Sequence, residues 1–328
     1  MRPLIQMSNI MKCKILIAPS KSNKKEHIQQ KYKILSKELK KQNIDCCDLI
    51  LKYFSLKLLF TKNQIIYVRE SVVLYPFLLL ITLFHKKYIL EVNGNPVADS
   101  NAPYFIKKVL FKFRKIILEK NKKLKVIAFS YDEIVNYNIR NKIVSNNFFD
   151  YNFRKSKLPR SKNILMLIGT NANWHGIDRV VEFAKTLTEY NFYIFGLDES
   201  RKIDKPKNIE FFPYESISSI LDKKQFGYAI GSFDYFKKIG KIKQNSSLKG
   251  VLYHLVDLPY VQSFEEINSV DKFVLTLSSS DMVNLTVTKN KVISFFDVWR
   301  DRNLEINDVL HFSPAFFTQH ILNYYRNK

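Results

Sequence analysis

The stretch that decides the fold is 163-NILMLIGTNANWHGIDRVVEFA-184. An apolar run, residues 163–168, ends at Gly169. A loop follows, closed by Gly176, and it leads into a helix. A strand, a glycine-bounded loop and a helix in that order aim backbone N–H groups at whatever sits on the helix N-terminus, and an anion is stabilised there. The same order also serves simply to connect two elements. Trp174 and His175 occupy the place where a phosphate-binding turn would be expected to carry a lysine.

The alternation continues on both sides of this stretch. Downstream, strands are expected at 191–196, 208–214, 226–233, 259–264 and 272–278, with helices at 177–190, 216–224, 246–257 and 289–302. Upstream, strand-like runs are CKILIAPS (13–20), IDCCDLI (44–50), QIIYVRE (64–70), KKYILEVNG (86–94), LKVIAFS (124–130) and KIVSNN (142–147). Between them, Ile28, Tyr32, Leu35 and Leu39 recur at helical spacing, and residues 71–84 read as a buried apolar helix. Such alternation predicts an α/β chain with two doubly wound parallel sheets. The expected boundaries are a first domain at 12–147, a basic linker at 148–162, a second domain at 163–312 and a C-terminal helix at 313–328. Ser313 is its N-cap and Pro314 suits its first turn. Ligands of such sheets bind beyond the C-terminal strand ends. That singles out Ser20, Arg69, Asn93, Gly94, Ser130 and Asn146 in the first half.

Composition bounds the partners. The chain has 328 residues and a net charge of +23. Residues 1–160 carry 32 Lys+Arg against 11 Asp+Glu, and residues 161–328 carry 21 against 19. The basicity therefore belongs to the first half and implies an anionic partner there: a membrane surface, a nucleic acid or a phosphorylated substrate. A merely solvated lysine-rich surface is the alternative. The three cysteines, Cys13, Cys46 and Cys47, have neither disulfide nor zinc spacing, which fits a reducing, cytoplasmic setting. The opening MRPLIQMSNI lacks the apolar core and cleavage site of a secretory signal. The longest apolar run, 71–84, falls short of the roughly 20 residues that span a bilayer.

Two loops carry the chemistry of the second half. The first is 169–176. The second is KQNSSLK (243–249), where Ser246, Ser247 and Lys249 open another helix. Helix N-termini with a lysine suit a diphosphate, although two serines before a helix also serve as an N-cap alone. The combined pattern of NWHGIDRVVEFA, YIFG, NIEFFPY, IGSF and NSSLKGVLYHLVDLPYV resembles the C-terminal domain of bacterial GT-B glycosyltransferases. The likeness is to the retaining, glycogen-synthase-like enzymes of capsule, O-antigen or exopolysaccharide synthesis. The matching residues are Gly169, Trp174, His175, Gly176, Asp178 and Arg179, then Ser247, Leu248, Lys249, Tyr253 and Pro259. In the first half IYVRE, EVNGNP and IVSNNF match more loosely.

The resemblance implies a GT-B fold, with two Rossmann-like doubly wound parallel-sheet domains facing a central cleft. It also implies a nucleotide-sugar donor, handled as a substrate rather than a cofactor, and no obligatory metal. Donor binding falls to Gly169, Thr170, Trp174, His175, Gly176, Ser246, Ser247 and Leu248. Lys249 and Arg179 stabilise the leaving diphosphate. Arg69, Asn93, Gly94 and Asn95 lie on the acceptor side. The chain departs from the pattern at several points. Neither Gln244 nor Leu252 is acidic, where relatives carry a glutamate pair whose second member holds the donor ribose. Thr170 and His175 reduce the usual cationic pair, and Asp257 stands where a glycine precedes the proline.

Several residues keep two readings. His175 is a donor contact or a polar surface residue. Trp174 is a sugar platform or an apolar plug, and Arg69 faces the ligand or pairs with Glu70 or Glu91. Tyr253 reads as core, Asp178 as a first-turn helix charge. The segment KKVLFKFRKIILEKNKKLK (107–125) is a basic amphipathic helix with Val109, Leu110, Phe113, Ile116 and Ile117 as its stripe. It reads as a helix on an anionic membrane, with Lys107, Lys108, Lys112, Arg114, Lys115, Lys120, Lys122, Lys123 and Lys125 facing lipid, or as an ordinary surface helix packed on the sheet. The function expected is transfer of a sugar to a lipid-linked surface glycan by a peripheral protein on the inner membrane face. The alternatives are an inactive partner subunit of the same fold and a basic nucleic-acid-binding protein. No zinc spacing, RNP-like segment or helix-turn-helix supports the last.

Overall fold

A computed structural model describes residues 12–17, 26–50, 64–84, 86–92, 94–97, 100, 102–168, 175–197, 204–233, 243–244, 247–266, 269–270, 272–278, 281 and 284–326. The chain divides into two compact units, residues 1–145 with 313–328, and residues 146–312.

The first unit holds a six-stranded, all-parallel sheet of β1 (Lys12–Ile17), β2 (Asp45–Ile50), β3 (Gln64–Arg69), β4 (Tyr88–Val92), β5 (Leu124–Ala128) and β6 (Lys142–Val144), in the order β2-β1-β3-β4-β5-β6. β4 is buried along its whole length, as a strand must be when helices cover both faces of a parallel sheet. Helix α1 (Glu26–Lys41) buries Tyr32, Leu35 and Leu39, the spacing of one helical face. The apolar segment after β3 forms a 3₁₀ turn and α2 (Tyr75–Leu83), which buries Phe77, Leu78 and Ile81. Helix α3 (Tyr104–Lys120) follows, and the C-terminal helix (Pro314–Arg326) contacts α1. No described helix is long and apolar enough to cross a membrane.

Two buried carboxylates organise this unit. Glu91 on β4 accepts hydrogen bonds from Lys31 Nζ at 3.2 Å, Tyr32 Oη at 2.8 Å and Tyr67 Oη at 2.6 Å. Burial alone would raise its carboxyl; Lys31, Arg69 and the two hydroxyls outweigh this and hold it below the ordinary value. Glu70 takes a two-pronged contact from Arg114, Nε at 2.7 Å and Nη2 at 3.0 Å, plus Tyr75 Oη at 2.9 Å. Arg114 is 2% exposed. It therefore does not face lipid, because a buried carboxylate on the sheet requires a cation and α3 supplies it. The apolar stripe differs too. Ile117 and Leu118 pack inward beside Arg114, while Val109 and Ile116 are exposed.

The second unit contains β7 (Asn163–Leu167), β8 (Asn191–Phe195), β9 (Ile209–Phe212), β10 (Tyr228–Ile230), β11 (Lys243–Gln244), β12 (Tyr260–Gln262), β13 (Glu265–Glu266) and β14 (Val274–Thr276). Six of them form one parallel sheet in the order β14-β12-β10-β7-β8-β9, and β11 pairs with β13 separately. The main helices are α4 (Ile177–Thr186), α5 (Ile217–Lys223), α6 (Leu248–Leu255) and α7 (Leu285–Trp299). The sheet starts at its centre with β7, grows outward to β9, then restarts with β10 on the other side. This is the dinucleotide-fold order, and its switch point lies between β7 and β10.

The segment 148–162, expected as a linker, packs along the second unit. Arg154 N–H donates to Leu255 O at 2.9 Å. Arg160 is fully enclosed and donates to Asp257 Oδ1 at 3.0 Å, Trp299 O at 2.8 Å and Arg302 O at 2.6 Å. Removing one member of a buried ion pair strands the other charge. Arg160→Met should therefore cost this unit about 3–5 kcal/mol. Both tryptophans of the chain, Trp174 and Trp299, belong to the unit, so the loss is read as a lower urea midpoint of tryptophan fluorescence. An unshifted midpoint contradicts the assignment.

Candidate functional site

The C-terminal ends of β7 and β10 diverge, and Tyr253 of α6 fills the gap. Its hydroxyl donates to Ile230 O at 2.9 Å and accepts from Leu167 N–H at 3.1 Å, bridging the two strand ends where their ladder stops. Tyr253 is thus core, as the sequence suggests, but it is core at the switch point. Above it the loop after β7 ends in His175 and Gly176. Gly176 has φ +65° and is the N-cap of α4, a left-handed conformation that a side chain would disfavour. His175 is 4% exposed, so it is not a polar surface residue. Its carbonyl accepts Phe233 N–H, which ties the end of this loop to the end of β10.

Three polar side chains from three elements meet here. Lys249 Nζ lies 2.9 Å from His175 Nδ1 and 3.5 Å from Ser232 Oγ, and His175 Nδ1 lies 3.3 Å from the same hydroxyl. Burial depresses the lysine to about 7, because the ammonium has lost water. No carboxylate pairs with it among the described residues. The site is a desolvated lysine suited to an incoming anion. Ser232 follows β10, and its position at a strand end was the signal that sequence reading passed over.

The start of α6 is built around a second residue that the sequence did not single out. Ser247 is the N-cap, its side chain accepting Gly250 N–H at 2.8 Å. Its own N–H donates to Glu266 Oε1 at 2.8 Å, and Tyr260 Oη bonds Glu266 Oε2. A Cβ at Gly250 would meet Glu266 Oε2 at 2.3 Å, so the carboxylate requires glycine there. The register of β11 with β13 places Gln244 opposite Glu266. At Leu252, the other place where the acidic pair was lacking, the side chain is buried in the core. Burial raises the Glu266 carboxyl. The N–H groups of Leu248 and Lys249 are not engaged by any described side chain, as expected for a helix's first turn.

The remaining expected residues divide as follows. Leu248 is exposed, and Asp178 and Arg179 lie in the first turn of α4, Asp178 exposed and Arg179 half-buried. Ser20, Asn93, Gly169, Thr170, Trp174 and Ser246 lie outside the described residues. In the first unit Arg69 ends β3 beside Tyr32 and Glu91. Burial pulls its guanidinium down, and these two groups outweigh that and raise it, so it belongs to the Glu91 network. Gly94 donates to Glu133 Oε1 at 2.7 Å and its carbonyl accepts from Arg114 at 3.3 Å. Asn95 is adjacent.

The chain has the GT-B fold. It matches the solved structure of TarM over 82% of its length, at 13% identity and a TM-score of 0.56. It matches a mutant of S. aureus TarM, in complex with fondaparinux, alpha-GlcNAc-glycerol and UDP, over 82% of its length at 16% identity and a TM-score of 0.51. It spans 55% and 56% of those two chains. No family model matches the chain, and no curated protein matches it.

Tyr253→Phe removes the one hydroxyl that serves both strand ends, leaving a buried N–H and a buried C=O unmatched. The expected cost is about 1–3 kcal/mol, read from the urea midpoint of the second unit. A change below about 0.5 kcal/mol, the scatter of ordinary surface substitutions, contradicts the bridging role.

Proposed function

We propose that this chain is a glycosyltransferase that binds a nucleotide-sugar at the Lys249 cluster and passes the sugar to a lipid-linked surface glycan. The observation that carries the reading is the convergence of Lys249, His175 and Ser232 at the switch point of the second unit. A GT-B fold and a neighbour whose structure holds UDP and alpha-GlcNAc-glycerol support it.

In this reading the donor diphosphate rests on Lys249 Nζ and on the N–H groups of Leu248 and Lys249, at the positive end of α6. Gly169, Thr170, Trp174, Gly176 and Ser246 complete the donor pocket. As the C1–O bond breaks, the electron pair leaves on the diphosphate oxygen, and the ammonium stabilises that charge more than it stabilises the bound donor. His175 Nδ1 accepts from the ammonium and aims it. Arg179 contributes a second cation from α4. The acceptor hydroxyl oxygen forms the new bond to C1 and gives its proton to the departing diphosphate oxygen. The acceptor is assigned to Asn93, Gly94 and Asn95. The anomeric configuration is retained, and the protein's own cations and N–H groups meet the diphosphate's charge without a resident metal. Glu266 holds the start of α6 and takes Ser247 N–H, which leaves the next two N–H groups to the donor.

A second reading, an inactive partner subunit, draws on Leu252 being buried where a ribose-holding carboxylate is expected. Donor binding without turnover on any lipid-linked acceptor would favour it.

The donor test is a thermal-shift screen with UDP-, GDP- and CMP-sugars. One should raise Tm, and Lys249→Ala should abolish the rise. If no nucleotide-sugar stabilises the protein, the donor assignment fails. The pH dependence has a defined sign. Lys249 carries its proton below about 7 and loses it above, so affinity for a nucleotide-sugar, whose diphosphate does not titrate here, should fall about tenfold between pH 6 and pH 8. Lys249→Arg should flatten that profile.

The membrane side of the proposal rests on α3. Its outward face carries Tyr104 at 75% and Phe105 at 67% exposure, with Val109 and Ile116, among Lys108, Lys112, Lys115 and Lys120. Aromatic and aliphatic groups interleaved with lysines suit the headgroup boundary of an anionic leaflet at the inner face of the cell membrane. With about 1 kcal/mol per basic residue near such a surface, Lys108→Gln/Lys112→Gln/Lys115→Gln should weaken binding to phosphatidylglycerol vesicles on the order of 100-fold. Unchanged sedimentation would remove the membrane from the proposal.

A further inference from the structure

Three of the lysines that the sequence places on the membrane face, Lys122, Lys123 and Lys125, line a different feature. With Lys87, His320 and Tyr324 they surround an open depression of about 670 Å³ in the first unit, to which α3 contributes nothing. Lys87 precedes β4, Lys122 and Lys123 precede β5, and Asn141 precedes β6. The depression therefore sits at the N-terminal strand ends, with the C-terminal helix as its other wall. Arg69 and Gly94 lie at the opposite, C-terminal edge of the same sheet.

We propose that this depression is a binding site for a multiply charged phosphate-bearing ligand. Its described lining brings together four lysines and a histidine and contains no carboxylate. The cations are built in rather than scattered. Lys87 Nζ donates to Tyr324 O at 2.9 Å and lies 4.5 Å above that ring, and Lys125 Nζ lies 6.0 Å from the same ring. Tyr324 Oη in turn bonds Lys123 O. The tyrosine thus fixes the geometry of three of the four lysine positions. Like charge registers at one side chain, His320, which burial and then Lys125 hold below its ordinary value; Lys125 and Lys87 are lowered by burial. Like charges gathered this closely repel unless an anion joins them. A single carboxylate has too little charge for four ammonium groups, whereas a diphosphate offers several oxygens to point-charge donors. The amides of Asn141 and Asn323 and the Tyr324 ring add room for the body that carries the phosphates. A soluble diphosphate and a lipid headgroup that carries two phosphate groups share this chemistry.

The test is calorimetric titration with inorganic pyrophosphate, in Lys249→Ala protein so that the donor site does not contribute. Lys122→Gln/Lys123→Gln/Lys125→Gln should weaken binding at least about tenfold, since charge-assisted hydrogen bonds are lost. Lys108→Gln/Lys112→Gln/Lys115→Gln should leave it within about twofold, because exposed charges act weakly at a distance. Lys123→Gln alone, at an exposed position, should weaken it measurably, which covers the case of a triple variant that misfolds. Absence of pyrophosphate binding, or equal losses in the pocket and helix variants, overturns the proposal. Flotation with vesicles of a doubly phosphorylated lipid such as cardiolipin identifies the source. Loss of vesicle binding in the pocket variant, with competition by pyrophosphate, assigns a lipid headgroup. Retained vesicle binding alongside lost pyrophosphate affinity assigns a soluble compound.

Discussion

The buried Asp257–Arg160 pair is the constraint on which the second unit depends. Asp257 ends α6 with φ +54°, in the left-handed region, at the place where the similar family carries glycine. A carboxylate at a helix C-terminus faces the negative end of the dipole, and burial pushes this one up further. Arg160 offsets part of this, and the carboxyl stays above its ordinary value. Two backbone N–H groups, from Ser156 and Leu304, complete the carboxylate's shell at 3.0 Å each. The result joins the segment after residue 148, the end of α6 and the turn after α7 at one point. That fixes the axis of α6, and through it the position of Lys249 at the far end of the helix. Glu266 fixes that far end, this time on the favourable pole of the dipole. A helix pinned by a carboxylate at each end presents its lysine with little freedom, as a site for a developing charge needs.

Much of this was legible in the sequence, for a physical reason. A parallel sheet covered on both faces demands apolar strands, and its crossover helices show a 3.6-residue period. The order of elements from β7 to β14 could therefore be read directly, and so could Lys249. The partners of Lys249 were harder. Ser232 is a lone serine at a strand end. Glu266 acts through a two-residue pairing of β11 with β13, which leaves no periodic trace. Its place opposite Gln244 explains how a chain with no acid at 244 or 252 still brings a carboxylate to this helix. Asp257 was visible as a departure from a pattern, but its meaning depended on Arg160, 97 residues away.

The basic segment 107–125 shows the same limit. Sequence counts charge but cannot assign it to a face. The fold sends Arg114 inward to Glu70, turns Lys108, Lys112 and Lys115 outward with the exposed aromatics, and folds Lys122, Lys123 and Lys125 around Tyr324. One run of positive charge becomes an internal ion pair, an amphipathic surface and a cationic depression. Among the described residues only the first meets its counter-charge directly, Glu70 against Arg114. The charge of Lys108, Lys112, Lys115, Lys122 and Lys123 therefore lies on surfaces where an external anion can reach it.

The same reasoning applies to Lys249. A lysine held near 7 by burial alone is a cation kept below its natural charge by lost water, with no anion to restore it among the described residues. In the proposed reading an arriving diphosphate would replace that water with fixed negative charge, so that binding and protonation reinforce each other. A carboxylate placed beside Lys249 would have neutralised it in advance and weakened its pull on a leaving group. Glu266 sits near the same helix start but spends its two oxygens on Ser247 N–H and Tyr260 Oη. His175 Nδ1 lies 2.9 Å from the ammonium, and in the proposed reading it would orient that ammonium without competing for the anion. The departures from the family pattern at 175, 244 and 257 thus form one arrangement: a single lysine, aimed by an imidazole, on a helix anchored at both ends.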